Sequence, residues 1–266
     1  MRAVVVVAVV LVLSQALFVE SVAAAACAPD AVQSGTVCMD KYESSVWYVP
    51  PSERTLIAKI KDGRASLANL TSASGLGAGV VQLGLVAGDL AAHGCPANGN
   101  GCLDSYAVSI AGVRPSVRVT WFQAAAAARN SLKRLPTNQE WQVAALGTPD
   151  TAFADDGVTT CNSDNLAPGL TLTGSRSNCI SDVGAFDLVG NAFEWVAEWV
   201  PLSTACPGWG GFADDFMCLA GASTIAGPGA IRRGGIGSDP SVAGVFTVVS
   251  SPPQETSDII GFRCAR

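Results

Sequence analysis

The chain has 266 residues, 49% of them hydrophobic, and its 16 Lys and Arg residues against 22 Asp and Glu residues give a formal net charge of −6. This length is sufficient for one large domain with a hydrophobic core of its own. No basic run is longer than Lys133-Arg134 or Arg232-Arg233, so the chain offers no electrostatic footprint for a phosphate backbone. Nucleic acid is therefore excluded as a partner.

The first 26 residues have the layout of a secretory signal peptide. Met1-Arg2 forms a short basic start, residues 3–19 are almost entirely apolar, and the small residues up to Ala26 suit cleavage. The apolar run is too short and too poorly flanked to predict a membrane span. We therefore expect a mature domain of residues 27–266 that is secreted or held in the cell envelope. A lipid anchor on Cys27 and plain cleavage near the same place both stay open.

Nine cysteines in an exported chain indicate disulfide bonds. Zinc is disfavoured, because the chain has no CxxC pair and His93 is its only histidine. Three pairs that are close in sequence enclose stretches rich in Gly, Asn, Ser or Pro, and closing each loop would stabilise the fold by about 2–4 kcal/mol. The three predicted local bridges are Cys95–Cys102, Cys161–Cys179 and Cys206–Cys218.

The first part of the mature chain contains one clear strand signal. The β-branched and aromatic residues over 37–49 predict a strand that ends before Pro50-Pro51. Residues 50–105 are rich in Gly, Ala and Ser and show no sustained hydrophobic period. We interpret them as an irregular insertion with short hairpins.

Two helices follow, each preceded by a capping box. Thr120 lies three residues before Gln123, and Thr137 lies three residues before Glu140, which is the spacing of reciprocal capping. These pairs predict helices over 121–132 and 138–146, with Gly147 as a left-handed stop. From residue 150 onward, frequent Gly, Asn and Asp predict loops and short strands. The predicted fold class is therefore α+β, with a high loop content and stabilised by disulfides.

Five motifs occur in order from residue 119 onward: VTWFQAAAAARN, KRLPTNQEWQVAALG, GAFDLVGNAFEWVAEW, RRGG and GFRCAR. In this order they closely resemble the formylglycine-generating enzyme family, also called sulfatase-modifying factors. The resemblance implies a C-type-lectin-like fold in which the first and last strands pair. In that family the cysteine of GFRC often pairs with one on the helix before KRLP, where this chain has Ala128. We therefore expect Cys264 to pair with Cys38, with Cys27 as the competing partner.

The resemblance also implies a copper site, for which this chain lacks the ligands. The enzymes bind copper(I) with two cysteines five positions apart shortly after RGG, and thiolates are the soft ligands that copper(I) prefers. Those positions are Asp239 and Gly244 here. Another branch of the family builds an iron site from several histidines, whereas this chain has only His93. We therefore expect no copper, no iron and no catalytic residue.

Calcium is the cofactor that the resemblance does predict. The GN-x-WEW segment of the family carries a structural calcium site, and amide, carbonyl and carboxylate oxygens are the hard ligands that Ca²⁺ prefers. A buried glutamate without a cation partner would also be costly. The alternative, in which the same side chains only hydrogen-bond a loop, stays open. The predicted metal residues are Gly190, Asn191 and Glu194, with Asn162 at the start of a second site.

Segment 236–259 lies between RRGG and GFRCAR and contains no Lys, Arg, His, Cys, Trp or Tyr. It resembles the C-terminus of the variable proteins of diversity-generating retroelements, although Gly237 occupies the place of their usual Trp. That resemblance implies a rigid scaffold that presents changeable side chains to a ligand, here an unknown protein or cell-surface molecule. The predicted ligand-binding residues are Ile236, Ser238, Asp239, Ser241, Val242, Ser250, Ser251, Glu255, Ser257 and Asp258.

The predicted function is that of an exported, non-catalytic binding protein that uses segment 236–259. One alternative is an oxidase of the formylglycine-generating type that acts on sulfatases. The other is a structural pseudoenzyme in which the same segment is a degenerate loop. Both alternatives stay open at the level of sequence.

Overall fold

The computed structural model describes residues 26–75, 79–150, 154–167 and 169–266. The predicted signal peptide, apart from Ala26, lies outside the described residues. Among the residues described, no helix is long and apolar enough to cross a membrane.

Short strands and helices alternate along the described chain. The strands are β1 (Ala31–Ser34), β2 (Val37–Asp40), β3 (Ser44–Tyr48), β4 (Val81–Leu83), β5 (Ser105–Ser109), β6 (Phe193–Pro201), β7 (Met217–Cys218), β8 (Pro228–Gly234), β9 (Gly244–Ser251) and β10 (Ile260–Phe262). The helices are α1 (Arg54–Lys61), α2 (Leu67–Gly75), α3 (Asp89–Ala92), α4 (Trp121–Asn130) and α5 (Asn138–Ala145).

The strands form three sheets, with the orders β1-β2, β4-β3-β5 and β10-β6-β8-β9-β7. In the largest sheet β8 pairs with both β6 and β9 in antiparallel fashion, and β10 runs parallel to β6. Short helices, mostly antiparallel strands and long connections confirm the predicted α+β class.

Both predicted capping boxes are present. Thr120 Oγ1 accepts from the Gln123 N–H at 3.1 Å, and Gln123 Oε1 accepts from the Thr120 N–H at 3.0 Å. Thr137 and Glu140 make the same reciprocal pair at 3.1 and 2.8 Å. Each box satisfies two N–H groups that a helix start would otherwise leave unpaired.

Both helices end slightly earlier than predicted. α4 ends at Asn130, because Leu132 adopts a left-handed φ of 55° through which a helix cannot continue. α5 ends at Ala145, and Gly147 follows with a φ of 77°, as expected of a left-handed stop.

The interpretation of residues 50–105 as an irregular insertion with hairpins is wrong. The segment contains α1, α2, α3 and β4, and β4 pairs with β3. Leu56 and Ile60, four residues apart on α1, are buried in one cluster with Trp47. This spacing of four, and the spacing of three between Leu67 and Leu70 on α2, were the helical signals that the interpretation overlooked. The strand predicted over 37–49 is likewise two strands, β2 and β3, separated by a bend.

The two ends of the domain meet, as the resemblance implies. Cys38 and Arg266 exchange backbone hydrogen bonds at 3.0 and 2.9 Å. Nearby, the fully buried Lys133 ammonium lies 2.6 Å from the carboxylates of both Asp30 and Asp40. This ion cluster ties the connection between α4 and α5 to the first strands.

Eight of the nine cysteines form bridges, among them the three predicted ones: Cys95–Cys102, Cys161–Cys179 and Cys206–Cys218. The predicted Cys38–Cys264 bridge is wrong, because Cys38 pairs with Cys27. Cys38 lies opposite Arg266 in the ladder of chain ends, so Cys264 is two residues out of register. The Cys264 thiol stays free and buried, 3.5 Å from the Ser44 hydroxyl. A lipid anchor would need the Cys27 sulfur that the bridge uses, and the mass of the mature chain tests that prediction.

Candidate functional site

The predicted ligand-binding segment 236–259 consists of a buried strand between two loops. β9 occupies its middle and lies between β8 and β7 in the largest sheet. Residues 236–243 and 252–259, called the two β9 loops, contain its exposed positions. Segment 236–259 is therefore exposed only at its two ends and not throughout.

Ser250 and Ser251 are the predicted ligand-binding residues that this burial corrects. They are only 8% and 4% exposed. Ser250 Oγ accepts from the Ser203 N–H at 2.9 Å and lies 2.9 Å from the Ser203 hydroxyl. Ser251 is paired with Ala230 of β8. Neither side chain is available to a ligand.

The other predicted positions lie in the two β9 loops at different depths. Asp239 Oδ1 accepts from the Ser241 N–H at 3.0 Å and from its hydroxyl at 2.6 Å, and these bonds fix the turn of the first loop. Ser238, Ser241 and Asp258 are exposed, whereas the half-buried members are Ile236, Asp239, Val242, Glu255 and Ser257. Ser238, Ser241 and Asp258 are thus the predicted residues most available to a ligand.

A cleft of about 300 Å³ lies between the two β9 loops. Gly237 and Ser238 of the first loop and Asp258 and Ile259 of the second contribute to its lining. Residues of 114–118, together with 169–170, supply further parts of the wall. The fold therefore brings both ends of the predicted segment to one concave site.

Two arginines that sequence reasoning missed belong to this cleft. Arg118 Nη2 lies 2.9 Å from Asp258 Oδ2. Arg114 is exposed and joins none of the ion pairs among the residues that the structure describes. Neither residue falls within a family motif, and the distance in sequence from 118 to 258 leaves no spacing signal. We call this site the arginine cleft.

A carboxylate fills the space beside Gly244, where the resemblance places a catalytic cysteine in the enzymes. A Cβ on Gly244 would overlap the Asp215 carboxylate, which accepts from the Phe246 N–H at 2.8 Å. Burial, together with the charges of Asp150 and Asp214, raises the pKa of Asp215 to about 6. Position 244 therefore has neither a soft ligand nor room for one.

The other cysteine position and the remaining thiol offer no replacement. One carboxylate oxygen of Asp239 already accepts two hydrogen bonds from Ser241 within the same loop. Burial raises the pKa of the Cys264 thiol, which therefore stays protonated and out of contact with solvent. In the part of the chain that the structure describes, which includes all nine cysteines, no thiolate pair is available for copper(I).

Glu194, the predicted calcium ligand, has a different cation partner. Arg263 Nε and Nη2 donate to its two carboxylate oxygens at 2.7 and 2.6 Å. Asn191 Oδ1 already accepts from Asn162 Nδ2 at 3.0 Å and from a backbone N–H at 2.9 Å. A metal ion at Glu194 would have to share the Glu194 carboxylate with the Arg263 guanidinium, whose positive charge repels cations. These residues do not fit a calcium ion held by Asn191 and Glu194 together, and calcium stays a prediction from the resemblance.

Gly190 and Asn162, the other two predicted metal residues, pack closely against each other in the same region. Gly190 has a φ of 72°, and a Cβ there would overlap the Asn162 carbonyl. Gly190 is therefore required by this close approach and by its left-handed conformation. Among the described residues, no group of three His, Cys, Asp or Glu side chains is placed to hold a metal ion.

Two further buried acids, Glu43 and Asp187, lie near the Glu194–Arg263 pair. Burial, followed by the charges of Asp187 and Glu194, holds the pKa of Glu43 well above its usual range. Burial and the charge of Glu194 raise the pKa of Asp187 to about 7. Arg263 and Arg176 only partly offset the burial of these acids, so the environment favours their protonated forms.

An aromatic patch beside β9 was also missed by sequence reasoning. Trp209 and Phe212 lie on the loop closed by Cys206–Cys218 and are 37% and 68% exposed. Their ring centroids are 6.2 and 5.0 Å from that of Phe246. The Trp209 indole N–H donates to the Phe246 carbonyl at 3.1 Å, which holds the loop against the strand.

Paired chain ends, a mixed sheet and a cleft lined in part by the Cys161–Cys179 loop define an α+β domain of the C-type-lectin-like class. The family described as the Sulfatase-modifying factor enzyme 1-like domain matches residues 79–266. The chain belongs to this family, and the resemblance carried by the five motifs is confirmed.

Several curated proteins are related to part of the chain. It is 31% identical over 167 residues to the Inactive C-alpha-formylglycine-generating enzyme 2 of Bos taurus, which covers 57% of this chain and 50% of that protein. It is 33% identical over 101 residues to the Formylglycine-generating enzyme of Thermomonospora curvata, which covers 32% of this chain and 33% of that protein. The chain thus spans half the length of the first relative and a third of the second.

Solved structures resemble the chain at low sequence identity. The Major Tropism Determinant U1 variant is 21% identical, with a TM-score of 0.37, over 61% of this chain and 45% of its own. CarF is 17% identical, with a TM-score of 0.40, over 86% of this chain and 85% of its own. These are similarities of fold alone.

Proposed function

We propose that this chain is an exported, non-catalytic binding protein whose ligand occupies the arginine cleft and contacts the two β9 loops. One observation carries the non-catalytic part. Gly244 stands where the enzymes have their second cysteine, and the Asp215 carboxylate fills the space that a side chain there would need. Related enzymes act at this position through sulfur, and this chain offers oxygen and backbone instead.

Export is supported by the disulfides. Four bridges indicate folding in an oxidising compartment outside the cytosol. The signal-like layout of residues 1–26 agrees with this, and we propose that the mature domain is secreted or held in the cell envelope. The mature domain then comprises residues 27–266.

The binding proposal is supported by exposed side chains on loops that a rigid, buried strand holds in place. The two β9 loops flank a strand that is buried in the largest sheet, and bridges close neighbouring loops. Side chains such as Ser238 and Asp258 can therefore change without disturbing the core. The ligand in this proposal is a protein or another cell-surface molecule.

A blocking substitution tests the binding site. Ser238 is exposed in the cleft, so Ser238→Trp should fill the cleft without disturbing the fold. Ser52 is exposed and outside the cleft lining, so Ser52→Trp adds the same surface elsewhere. The wild type, S238W and S52W would be screened against arrays of purified surface proteins and glycans. We expect S52W to keep every ligand of the wild type and S238W to lose them, and equal binding by S238W would overturn the proposal.

We further propose that the loops are the diversified part of the surface, as in the variable proteins that the C-terminus resembles. The structure limits which positions could vary. A Cβ on Gly237 would overlap the Asn162 amide, and Ser250 and Ser251 are buried. A reverse transcriptase gene and a near-copy of the 3′ coding segment beside this gene are the expected signs. If both are missing, the chain is a binding module with a fixed surface.

A further inference from the structure

We infer that the arginine cleft recognises an acidic peptide segment, in which a carboxylate lies next to an apolar side chain. This inference rests on the proposed binding function and gives the ligand a chemical class. The chain carries a net charge of −6, yet among the described residues that line the cleft Arg114 and Arg118 face a single acid, Asp258. The cleft is therefore locally cationic within an acidic protein.

Arg118 is held in a fixed position at the cleft. Its φ is 58°, in the left-handed region that a long side chain rarely adopts. The Arg118 N–H donates to the Ser257 carbonyl at 2.8 Å, which joins its backbone to the second β9 loop. Such strain persists where the surrounding structure enforces it, and it is concentrated at functional sites.

Asp258 occupies the place that a ligand carboxylate would take. Its carboxylate is 2.9 Å from the Arg118 guanidinium, and its side chain is 65% exposed. An exposed ion pair of this kind is weak, because water and salt screen it. A ligand carboxylate can therefore displace Asp258 at little cost and form the paired hydrogen bonds that a guanidinium favours.

The apolar part of the lining specifies what accompanies the carboxylate. Four apolar residues line the cleft beside the arginines: Leu85, Val117, Leu170 and Ile259. Leu85 is 41% exposed, so apolar surface is open to solvent there. An aliphatic side chain adjacent to an aspartate or glutamate would bury this surface while its acidic neighbour reaches Arg114 or Arg118.

Two blocked dipeptides test this recognition directly. N-acetyl-Leu-Asp-amide and N-acetyl-Leu-Asn-amide differ in one charge and would be titrated into the ¹⁵N-labelled full mature chain. The backbone amide shifts of Gly237, Ser238 and Ile259 report on the cleft. We expect saturable shifts with the aspartyl dipeptide and none with the asparaginyl dipeptide at the same concentrations.

Three substitutions in the cleft and one control substitution outside it separate charge recognition from nonspecific binding. Arg114→Gln and Arg118→Gln should each weaken binding of the aspartyl dipeptide about tenfold, which is the loss of one charged hydrogen bond. Asp258→Asn removes the internal competitor and should strengthen binding about threefold. Arg129→Gln, an exposed arginine outside the cleft lining, is the matched control and should change nothing.

The inference is overturned if the aspartyl dipeptide produces no saturable shift, or if both dipeptides bind equally. It is also overturned if both arginine variants bind the aspartyl dipeptide as tightly as the wild type does. Loss of array ligands in Ser238→Trp alongside any of these results would leave the binding function standing with a different ligand class. Unchanged array binding in that variant would remove the proposed function itself.

Discussion

The carboxylate of Asp215 occupies the space into which a side chain on Gly244 would project. Gly244 does not have a positive φ, so its backbone conformation is open to any residue. Glycine is needed there because of the neighbouring acid and not because of the backbone. The acid and the glycine therefore form one packing unit at the start of β9.

Gly244→Ala should destabilise the wild type by about 1–3 kcal/mol, since the added methyl group overpacks against Asp215. In an Asp215→Ala background the same change should cost much less, because the obstructing carboxylate is gone. Urea unfolding of the four proteins measures this coupling. Gly211→Ala is the matched control, because Gly211 has no positive φ and no atom lies within 4 Å of its added Cβ. Equal costs of Gly244→Ala in both backgrounds would contradict the packing relationship.

Lys133→Met should lower the free energy of unfolding by about 3–5 kcal/mol, because it leaves the buried Asp40 carboxylate without a cation and Asp30 with Arg266 alone. Lys59→Met, at an exposed position of α1, should change stability by less than about 0.5 kcal/mol. Denaturant midpoints measure both. A small effect at Lys133 would mean that the ion cluster does not hold the chain ends together.

Chelation separates calcium from Arg263 as the partner of Glu194. Since both carboxylate oxygens of Glu194 accept from Arg263, we expect the melting temperature to be the same with and without a calcium chelator. Glu194→Gln should lower it by equal amounts in both conditions, because a buried ion pair is broken. A chelator-sensitive melting temperature that Glu194→Gln makes insensitive would instead support the calcium site that the resemblance predicts.

Asp215 also predicts a pH dependence. Its pKa is raised from 3.8 to about 6 in the folded chain, so the folded state binds the proton more tightly than the unfolded state does. The stability that this proton contributes is fully present below pH 4 and is lost as the pH rises through 6. Asn does not titrate in this range, so the Asp215→Asn variant does not show this loss of stability.

The stability of the wild type relative to Asp215→Asn should therefore fall between pH 4 and pH 7, by on the order of 1–2 kcal/mol. Urea unfolding of both proteins across this range measures the difference, and comparing them cancels the other titrating groups. A difference that stays constant with pH would show that Asp215 titrates normally.

Features fixed by neighbouring residues could be predicted from the sequence. The capping boxes at Thr120 and Thr137 depend on a spacing of three residues, and both are present. The three local bridges were predictable because each closes a short loop. The order of the motifs from residue 119 onward identified the family, whose model matches residues 79–266.

Features that depend on register or on distant contacts could not be predicted. The Cys38–Cys264 pairing failed because the ladder of chain ends places Arg266 opposite Cys38. The partner of Glu194 is Arg263, and nothing in their spacing indicates it. The contact between Arg118 and Asp258 likewise joins residues that are distant in sequence and meet only in the folded chain.

Peptide oxidation tests most directly whether this chain binds or catalyses. A cysteine-containing peptide of the sulfatase motif would be incubated in air with the copper(I)-treated protein, and mass spectrometry would follow conversion of its cysteine to formylglycine. The Formylglycine-generating enzyme of Thermomonospora curvata, assayed in parallel, shows that the assay reports turnover. We predict an unchanged cysteine with this chain, because Asp239 and Gly244 supply no thiolate. Catalytic formation of the aldehyde would contradict the assignment of the chain as a binding protein.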